Sequence, residues 1–150
     1  LASLLFSNAL KDNALFALIL TFIVSSCTDT FAYIVGSSLK GPKLCPKISP
    51  NKTIEGCIAG TLGSIIMILI YTIFLNLKCQ LELNYMIITI MAIILSIIGQ
   101  IGDFAASVIK RHFEVKDFSN LFPGHGGMID RIDSVILIAP FAYFFITNLF

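Results

Sequence analysis

Residues 83–102 decide the fold, and they read LNYMIITIMAIILSIIGQIG without a single Asp, Glu, Lys or Arg. A bilayer with a hydrocarbon core about 30 Å thick needs about 20 apolar residues in a helix to cross it. This run satisfies that length alone. The strict alternation of apolar and polar residues that marks a membrane β-strand is missing from it. The stretch therefore predicts a helix that spans a membrane.

Three more charge-free stretches occupy residues 13–28, 56–77 and 134–150. The middle one is long enough by itself. The first reaches spanning length if its helix continues through Asp29 to about Leu39, and the last does so if it begins near Asp130. Pro140 lies inside the last stretch, and membrane helices tolerate such a proline with a kink. We therefore predict an all-α, polytopic membrane protein with about four transmembrane helices and two ordered cytosolic loops.

The overall composition supports the same class. Hydrophobic residues make up 57% of the chain and charged residues 13%, whereas a soluble domain has roughly 25% charged residues. The net charge of +1 excludes a basic nucleic-acid binder. The four cysteines form no Cys-x-x-Cys pair, which favours free thiols over a zinc site.

Basic residues predict the orientation. Lys11 and Lys78 fall on one side of the predicted spans. The other side carries eight basic residues, namely Lys40, Lys43, Lys47, Lys52, Lys110, Arg111, Lys116 and Arg131. The positive-inside rule places these eight in the cytosol.

Two segments on that side do not resemble plain connectors. The first, from Gly36 to Gly56, contains three prolines and three glycines, which predicts an ordered, turn-rich loop. The second, from Phe113 to Gly127, ends in a glycine-rich turn whose backbone N–H groups would be able to approach a phosphate closely. His125 in this turn is open to a simpler interpretation as an ordinary turn residue.

Four carboxylates are expected at one membrane plane. At ~1.5 Å per residue, Asp103 lies about 30 Å along the third helix and Asp29 about 24 Å along the first. Asp130 and Asp133 open the fourth helix on the same side of the membrane. An ionisable group at membrane depth is costly and usually functional. We therefore expect a functional site where these carboxylates meet.

The spacing and types of these residues indicate phosphate chemistry. Asp103, Ser107 and Lys110 share one helical face, as do Asp130 and Asp133. Carboxylates with few histidines and no cysteine among them select a hard cation such as Mg²⁺. Lysines beside such a cation suit a polyphosphate substrate.

Simpler interpretations stay open for several of these residues. Asp130 and Asp133 would also complement the dipole at the start of a helix. Lys110 and Arg111 would also serve as anchors at the membrane interface, and the loop lysines would attract anionic lipid. Ser107 would also bond its own helix, and a structural pair between Asp103 and Lys110 is a further alternative.

Residues 107–133 read SVIKRHFEVKDFSNLFPGHGGMIDRID. This stretch resembles the signature of the phosphatidate cytidylyltransferases, also called CDP-diacylglycerol synthases. Residues 29–36 (DTFAYIVG), 48–56 (ISPNKTIEG) and 102–104 (GDF) fit the same family. The resemblance therefore extends from residue 29 to residue 133.

The resemblance implies that CTP and phosphatidate react to give CDP-diacylglycerol and pyrophosphate, without a covalent enzyme intermediate. It implies Asp103 and Asp130 as Mg²⁺ ligands with Asp133 close by, and it leaves a second, monovalent cation open. The residues that would balance phosphate charge are Lys110, Arg111, Lys116 and Arg131. The residues that would bind substrate or position the loop are Asp29, Ser49, Lys52, Thr53, Glu55, Ser107, His125, Gly126 and Gly127.

The family also implies a homodimer in the bacterial inner membrane with its active site facing the cytosol. Its members carry additional N-terminal spans, so residues 1–150 are expected to form a single catalytic region that corresponds to the C-terminal part. Two alternatives stay open at this point. One is a related Mg²⁺-dependent nucleotidyltransferase that acts on another lipid phosphate. The other is a non-enzymatic transport module whose intramembrane acids relay protons.

Overall fold

A computed structural model describes residues 13–46, 48–79, 82–115 and 129–149, with side chains for 15–46, 48–78, 82–115 and 133–148. The elements in chain order are α1 (Asn13–Leu39), β1 (Lys43–Cys45), β2 (Ser49–Thr53), α2 (Ile54–Cys79), α3 (Tyr85–His112) and α4 (Ile129–Leu149). The predicted all-α fold is confirmed, and the two short strands are a small addition to it.

Three helices are long and apolar enough to cross a membrane. They comprise residues Leu15–Leu39, Ile54–Lys78 and Tyr85–His112. The apolar part of α4 with described side chains is shorter, from Asp133 to Asn148. Helix α1 runs through Asp29 to Leu39 as predicted, and α4 begins at Ile129, next to the predicted start. The protein is therefore an integral membrane protein.

The helices bury their apolar residues unevenly, as expected for a bundle in lipid. Val24, Leu75, Leu95 and Ile138 come from four different helices, and each is fully buried in one shared core. Large apolar residues on the outer faces stay accessible, including Phe144. In a bilayer these outer faces contact lipid, so their apolar residues need not be buried inside the bundle.

Glycines allow α1 and α2 to approach closely. Gly56 and Gly60 are four residues apart on α2, in the small-xxx-small pattern that membrane helices use for close packing. A Cβ atom at Gly60 would lie 2.6 Å from the backbone oxygen of Thr28, and one at Gly56 would lie 2.7 Å from that of Ala32. Glycine is therefore needed at both positions to keep the backbones at this distance.

Hydroxyl pairs connect α1 to two other helices. The Oγ atoms of Ser25 and Ser134 lie 2.8 Å apart, which joins α1 to α4. Thr28 Oγ1 and Ser96 Oγ lie 3.0 Å apart, which joins α1 to α3. Each pair satisfies two polar groups that would otherwise face an apolar interior. Together they hold α1 at the centre of the bundle.

The first predicted loop is ordered and forms a β-hairpin. Strands β1 and β2 are antiparallel, with Lys43 opposite Thr53. The hairpin continues directly into α2, where Thr53 Oγ1 accepts a hydrogen bond of 3.1 Å from the N–H of Gly56 and caps the helix. The N–H of Ile54 also donates to the Pro42 oxygen at 3.1 Å. These bonds attach the hairpin to the start of α2.

The second predicted loop, Phe113 to Gly127, lies mostly outside the described residues. Its first three residues follow α3, and the N–H of Val115 donates to the Lys110 oxygen at 3.0 Å. Glu114 adopts a positive φ of 55°, the left-handed conformation common where helices end.

Replacing Asn84 by Ala is expected to lower stability by about 1 kcal/mol. The Asn84 side chain caps α3 by accepting hydrogen bonds from the N–H groups of Met86 and Ile87. Thermal unfolding in detergent would measure the loss as a lower Tm. Asn148→Ala is the matched control, because the Asn148 side chain donates to Phe144 and Thr147 of its own helix and caps no helix start. Equal Tm values for the two variants would contradict the capping role.

Candidate functional site

A cavity of about 470 Å³ lies where α1, the hairpin, α2 and α3 meet. We call it the junction cavity. Its walls are mostly apolar, and its polar lining residues include Asp29, Asn51, Lys52, Thr53, Gln100 and Asp103. A concave apolar site with a few convergent polar groups is the usual form of a ligand-binding pocket.

An ion pair crosses the junction cavity. Lys52 Nζ from β2 contacts Asp103 Oδ2 from α3, and the two side chains are 24% and 28% exposed. Neither residue is close to the other in sequence, so the fold of the hairpin onto α3 creates the pair. Partial shielding from water strengthens such a pair relative to one on an open surface.

Two further carboxylates approach this pair from α1 and α4. Asp29 and Asp133 are both repelled electrostatically by Asp103 and attracted by Lys52. Three of the four carboxylates predicted to meet thus lie close enough to interact electrostatically, and they come from three different helices. The side chain of the fourth, Asp130, lies outside the described residues. The concentration of negative charge favours the binding of cations at this end of the bundle.

Basic residues at the end of α3 lie on the same side. Lys110 interacts electrostatically with Asp133. Arg111 Nε donates a hydrogen bond of 3.3 Å to the backbone oxygen of Ile48, which links α3 to the hairpin next to Ser49. Of the predicted phosphate-balancing residues with described side chains, Lys110 therefore lies near a carboxylate, and Arg111 contacts the hairpin.

Two predicted substrate-binding hydroxyls make structural hydrogen bonds. Thr53 caps α2, and Ser107 Oγ donates to the backbone oxygen of Asp103 at 2.9 Å. The simpler interpretation of Ser107, a bond to its own helix, is therefore observed. Ser49 lies on β2 and Glu55 in the first turn of α2, and neither is among the described residues that line the junction cavity. Substrate binding by these four residues stays a prediction.

Thr28, Asn51 and Gln100 are polar residues that line the cavity and that sequence reasoning missed. Gln100 Nε2 donates hydrogen bonds of 3.1 Å to the Cys57 oxygen and 3.0 Å to Thr61 Oγ1. A signal for Gln100 was present, because it is a polar residue inside an apolar span and lies three positions before Asp103 on the same helical face. Asn51 lies within residues 48–56, which fit the family motif, but no role was assigned to it there.

The model of the cytidylyltransferase family matches residues 1–149. The chain belongs to this family. Phosphatidate cytidylyltransferase of Bacillus subtilis is 47% identical over 130 residues, which cover 83% of this chain and 47% of that protein. The protein of the same name from Staphylococcus haemolyticus is 43% identical over 132 residues, covering 88% of this chain and 49% of that protein. The chain spans about half the length of the curated relatives it matches.

Membership of the cytidylyltransferase family confirms the resemblance found on the sequence motifs, and it does not favour the transport alternative. Several predicted site residues of this family member stay untested. Lys116, His125, Gly126 and Gly127 lie outside the described residues, as do the side chains of Asp130 and Arg131.

The donor set of this cytidylyltransferase family member fits Mg²⁺. Asp29 and Asp103 bring carboxylate oxygens to the junction cavity. Within the described residues, no group of three or more His, Cys, Asp or Glu side chains is placed to hold a metal ion. Mg²⁺ typically takes only one or two carboxylates and completes its shell with water and substrate phosphates. Oxygen donors beside a cavity are therefore suitable for Mg²⁺ bound together with a phosphate substrate.

Proposed function

We propose that this chain transfers a cytidylyl group from CTP to phosphatidate, giving CDP-diacylglycerol and pyrophosphate. Relatives at 43–47% identity carry the name phosphatidate cytidylyltransferase. The observation that carries the proposal is the pairing of Lys52 with Asp103 in the wall of the junction cavity. A cation-attracting carboxylate and an ammonium group beside one cavity are what a reaction between two phosphate compounds requires.

The reaction joins two negatively charged reactants. A phosphate oxygen of phosphatidate attacks the α-phosphorus of CTP, and the bond to the β-phosphate oxygen breaks to release pyrophosphate. The ammonium group of Lys52, in the cavity wall, would reduce the repulsion between the reactants. Mg²⁺ bound by Asp103 and Asp130 would supply further positive charge to the phosphate oxygens. A monovalent cation would also supply positive charge to the phosphate oxygens.

Apolar side chains define the rest of the cavity and favour lipid over water as the attacking group. Ile97, Ile101 and Phe104 all come from α3, and they line the cavity beside Asp103. A wall of this kind limits the access of water, so transfer to the lipid phosphate is favoured over hydrolysis of CTP.

We also propose that the junction cavity faces the cytosol of a bacterium, with the chain in the cell membrane. The basic residues of the hairpin and of the α3 end support this orientation, because positive residues are retained on the cytosolic side. CTP would enter from the cytosol and phosphatidate from the inner leaflet. A homodimer is part of the proposal on the basis of the family resemblance.

The proposal is tested with the purified full-length protein in phosphatidate-containing micelles. Pyrophosphate release is expected only when CTP, phosphatidate and Mg²⁺ are all present. Replacing phosphatidate by another lipid phosphate tests the lipid substrate in the same assay. Cation flux across vesicles without pyrophosphate release would contradict the proposal and favour a transport module.

Replacing Lys52 by Met is expected to lower kcat/KM for CTP about 100-fold, because a charge-assisted interaction contributes up to about 3 kcal/mol. Met preserves the length of the side chain and removes its charge. Lys78→Met is the matched control, since Lys78 is an exposed lysine in the last turn of α2, at the opposite end from the hairpin. Equal kinetics for the two variants would remove Lys52 from the proposed site.

A further inference from the structure

The side-chain amide of Gln100 is held in one orientation. Its Nε2 lies 3.1 Å from the backbone oxygen of Cys57 and 3.0 Å from Thr61 Oγ1. A backbone oxygen only accepts hydrogen bonds, so the NH₂ group of Gln100, and not its carbonyl oxygen, must face Cys57. The reverse orientation would bring two acceptor oxygens together.

Neighbouring hydroxyls reinforce that orientation. Thr61 Oγ1 donates its only proton to the Cys57 oxygen at 3.2 Å, so it is left to accept from Gln100 Nε2. Ser96 Oγ donates to the same Thr61 Oγ1 at 3.3 Å. Ser96 in turn lies 3.0 Å from Thr28 Oγ1, so Thr28 is the donor of that pair. Hydrogen bonds from three helices thus fix the Gln100 amide before any ligand binds.

The carbonyl oxygen of Gln100 is left as an acceptor in the cavity wall. Among the described residues, Gln100 Oε1 has no hydrogen-bond partner, yet it is not one of the fully buried unpaired atoms, so it keeps accessible surface. Gln100 lines the junction cavity between Ile97 and Ile101. An unpaired acceptor in apolar surroundings is energetically costly, so a ligand that donates a hydrogen bond to it binds more tightly.

The chemistry of the proposed substrates limits which of their groups can donate a hydrogen bond to Gln100 Oε1. Ionised phosphates and the ester oxygens of phosphatidate are acceptors, and acyl chains form no hydrogen bonds. The neutral donors are the amino group of the cytosine base and the hydroxyls of the ribose, and both belong to the nucleotide. Gln100 precedes Asp103 by three positions and lies about 4.5 Å closer to the membrane interior along α3, so one nucleotide can reach both residues.

We propose that Gln100 determines nucleotide specificity, with its Oε1 accepting a hydrogen bond from the cytosine amino group or a ribose hydroxyl of CTP. This inference rests on the proposed function. The hydroxyl network positions the amide, and Gln100 itself contacts the substrate.

Equilibrium binding of nucleotides to the purified full-length protein, with Mg²⁺ and without phosphatidate, tests the inference. The ligands are CTP, UTP, which has an oxygen in place of the amino group, and the 2′- and 3′-deoxy forms of CTP. The wild-type protein is expected to bind either UTP or a deoxy form about tenfold more weakly than CTP. A UTP defect identifies the base as the donor, and a deoxy defect identifies the ribose.

Gln100→Leu is expected to weaken CTP binding about tenfold and to abolish that preference. Thr89→Val is the control, because the Thr89 hydroxyl donates only to its own helix at the opposite end of α3. Thr61→Val keeps Gln100 but removes one hydrogen bond to its amide, so it is expected to reduce the preference for CTP. This variant tests the inference if Gln100→Leu fails to fold.

Two results would overturn the inference alone. One is equal weakening of all the nucleotides by Gln100→Leu, which indicates a purely structural residue. The other is a preference for CTP that both variants leave unchanged. Failure of the wild-type protein to bind CTP at all would overturn the proposed function together with this inference.

Discussion

Replacing Asp103 by Asn is expected to lower CTP- and phosphatidate-dependent pyrophosphate release about 1,000-fold. A metal ion stabilises transition-state charge by several kcal/mol, and each 1.36 kcal/mol corresponds to a tenfold change in rate. Asn keeps the size of the side chain and removes the charge that attracts the cation. It also leaves the Lys52 ammonium group without its carboxylate partner. The same substitution at Asp130 is expected to have a similar effect, because both residues are proposed ligands.

The control for this prediction is Glu82→Gln. Glu82 is an exposed carboxylate between α2 and α3, at the opposite end of the bundle from Asp103. It should therefore retain wild-type activity. The variants are compared at saturating CTP over a range of Mg²⁺ concentrations, with thermal unfolding as a check of the fold. Wild-type rates in the folded Asp103→Asn protein would remove the metal-ligand assignment.

Replacing Gly60 by Val is expected to destabilise the protein by about 1–3 kcal/mol or more. The new Cβ would lie 2.6 Å from the Thr28 oxygen, and a backbone oxygen can move away only if α1 moves with it. Thr28 lies next to Asp29, lines the junction cavity and forms a hydrogen bond with Ser96. Activity is therefore expected to fall together with the apparent Tm measured in detergent.

Ile58→Val is the matched control for Gly60, because it introduces the same side chain two positions away on the same helix. Ile58 lies on the outer face of α2, and 58% of its surface is exposed. A small change in Tm is expected there. If both variants unfold at the same temperature, close α1–α2 packing through Gly60 is not a determinant of stability.

The helical spans could be predicted because the bilayer imposes a local requirement. Each span needs a sufficient run of apolar residues, with all backbone polar groups bonded within the helix. This constraint predicted that α1 continues through Asp29 to Leu39, and the structure confirms it. The turn-rich composition of the first loop predicted order, but the strand register between Lys43 and Thr53 depends on pairing that no local pattern specifies.

The candidate site was predictable only in part. Depth along each helix indicated that Asp29, Asp103 and Asp133 would lie at one level, since the helical rise is constant. Which side chains then touch is a different question. Spacing on α3 suggested Lys110 as a neighbour of Asp103, whereas the ion pair forms with Lys52 of the hairpin. Partners on another element follow from how the hairpin packs against the helices.

The sequence by itself determined the membrane-spanning helices, the family and the level at which the acidic residues lie, because these properties depend on composition, motif and distance along one helix. Only the tertiary structure decided that Lys52 meets Asp103 and that Gln100 is oriented by Cys57 and Thr61. Those contacts join residues 39–51 positions apart in the chain, so they exist only once the hairpin, α2 and α3 have packed together.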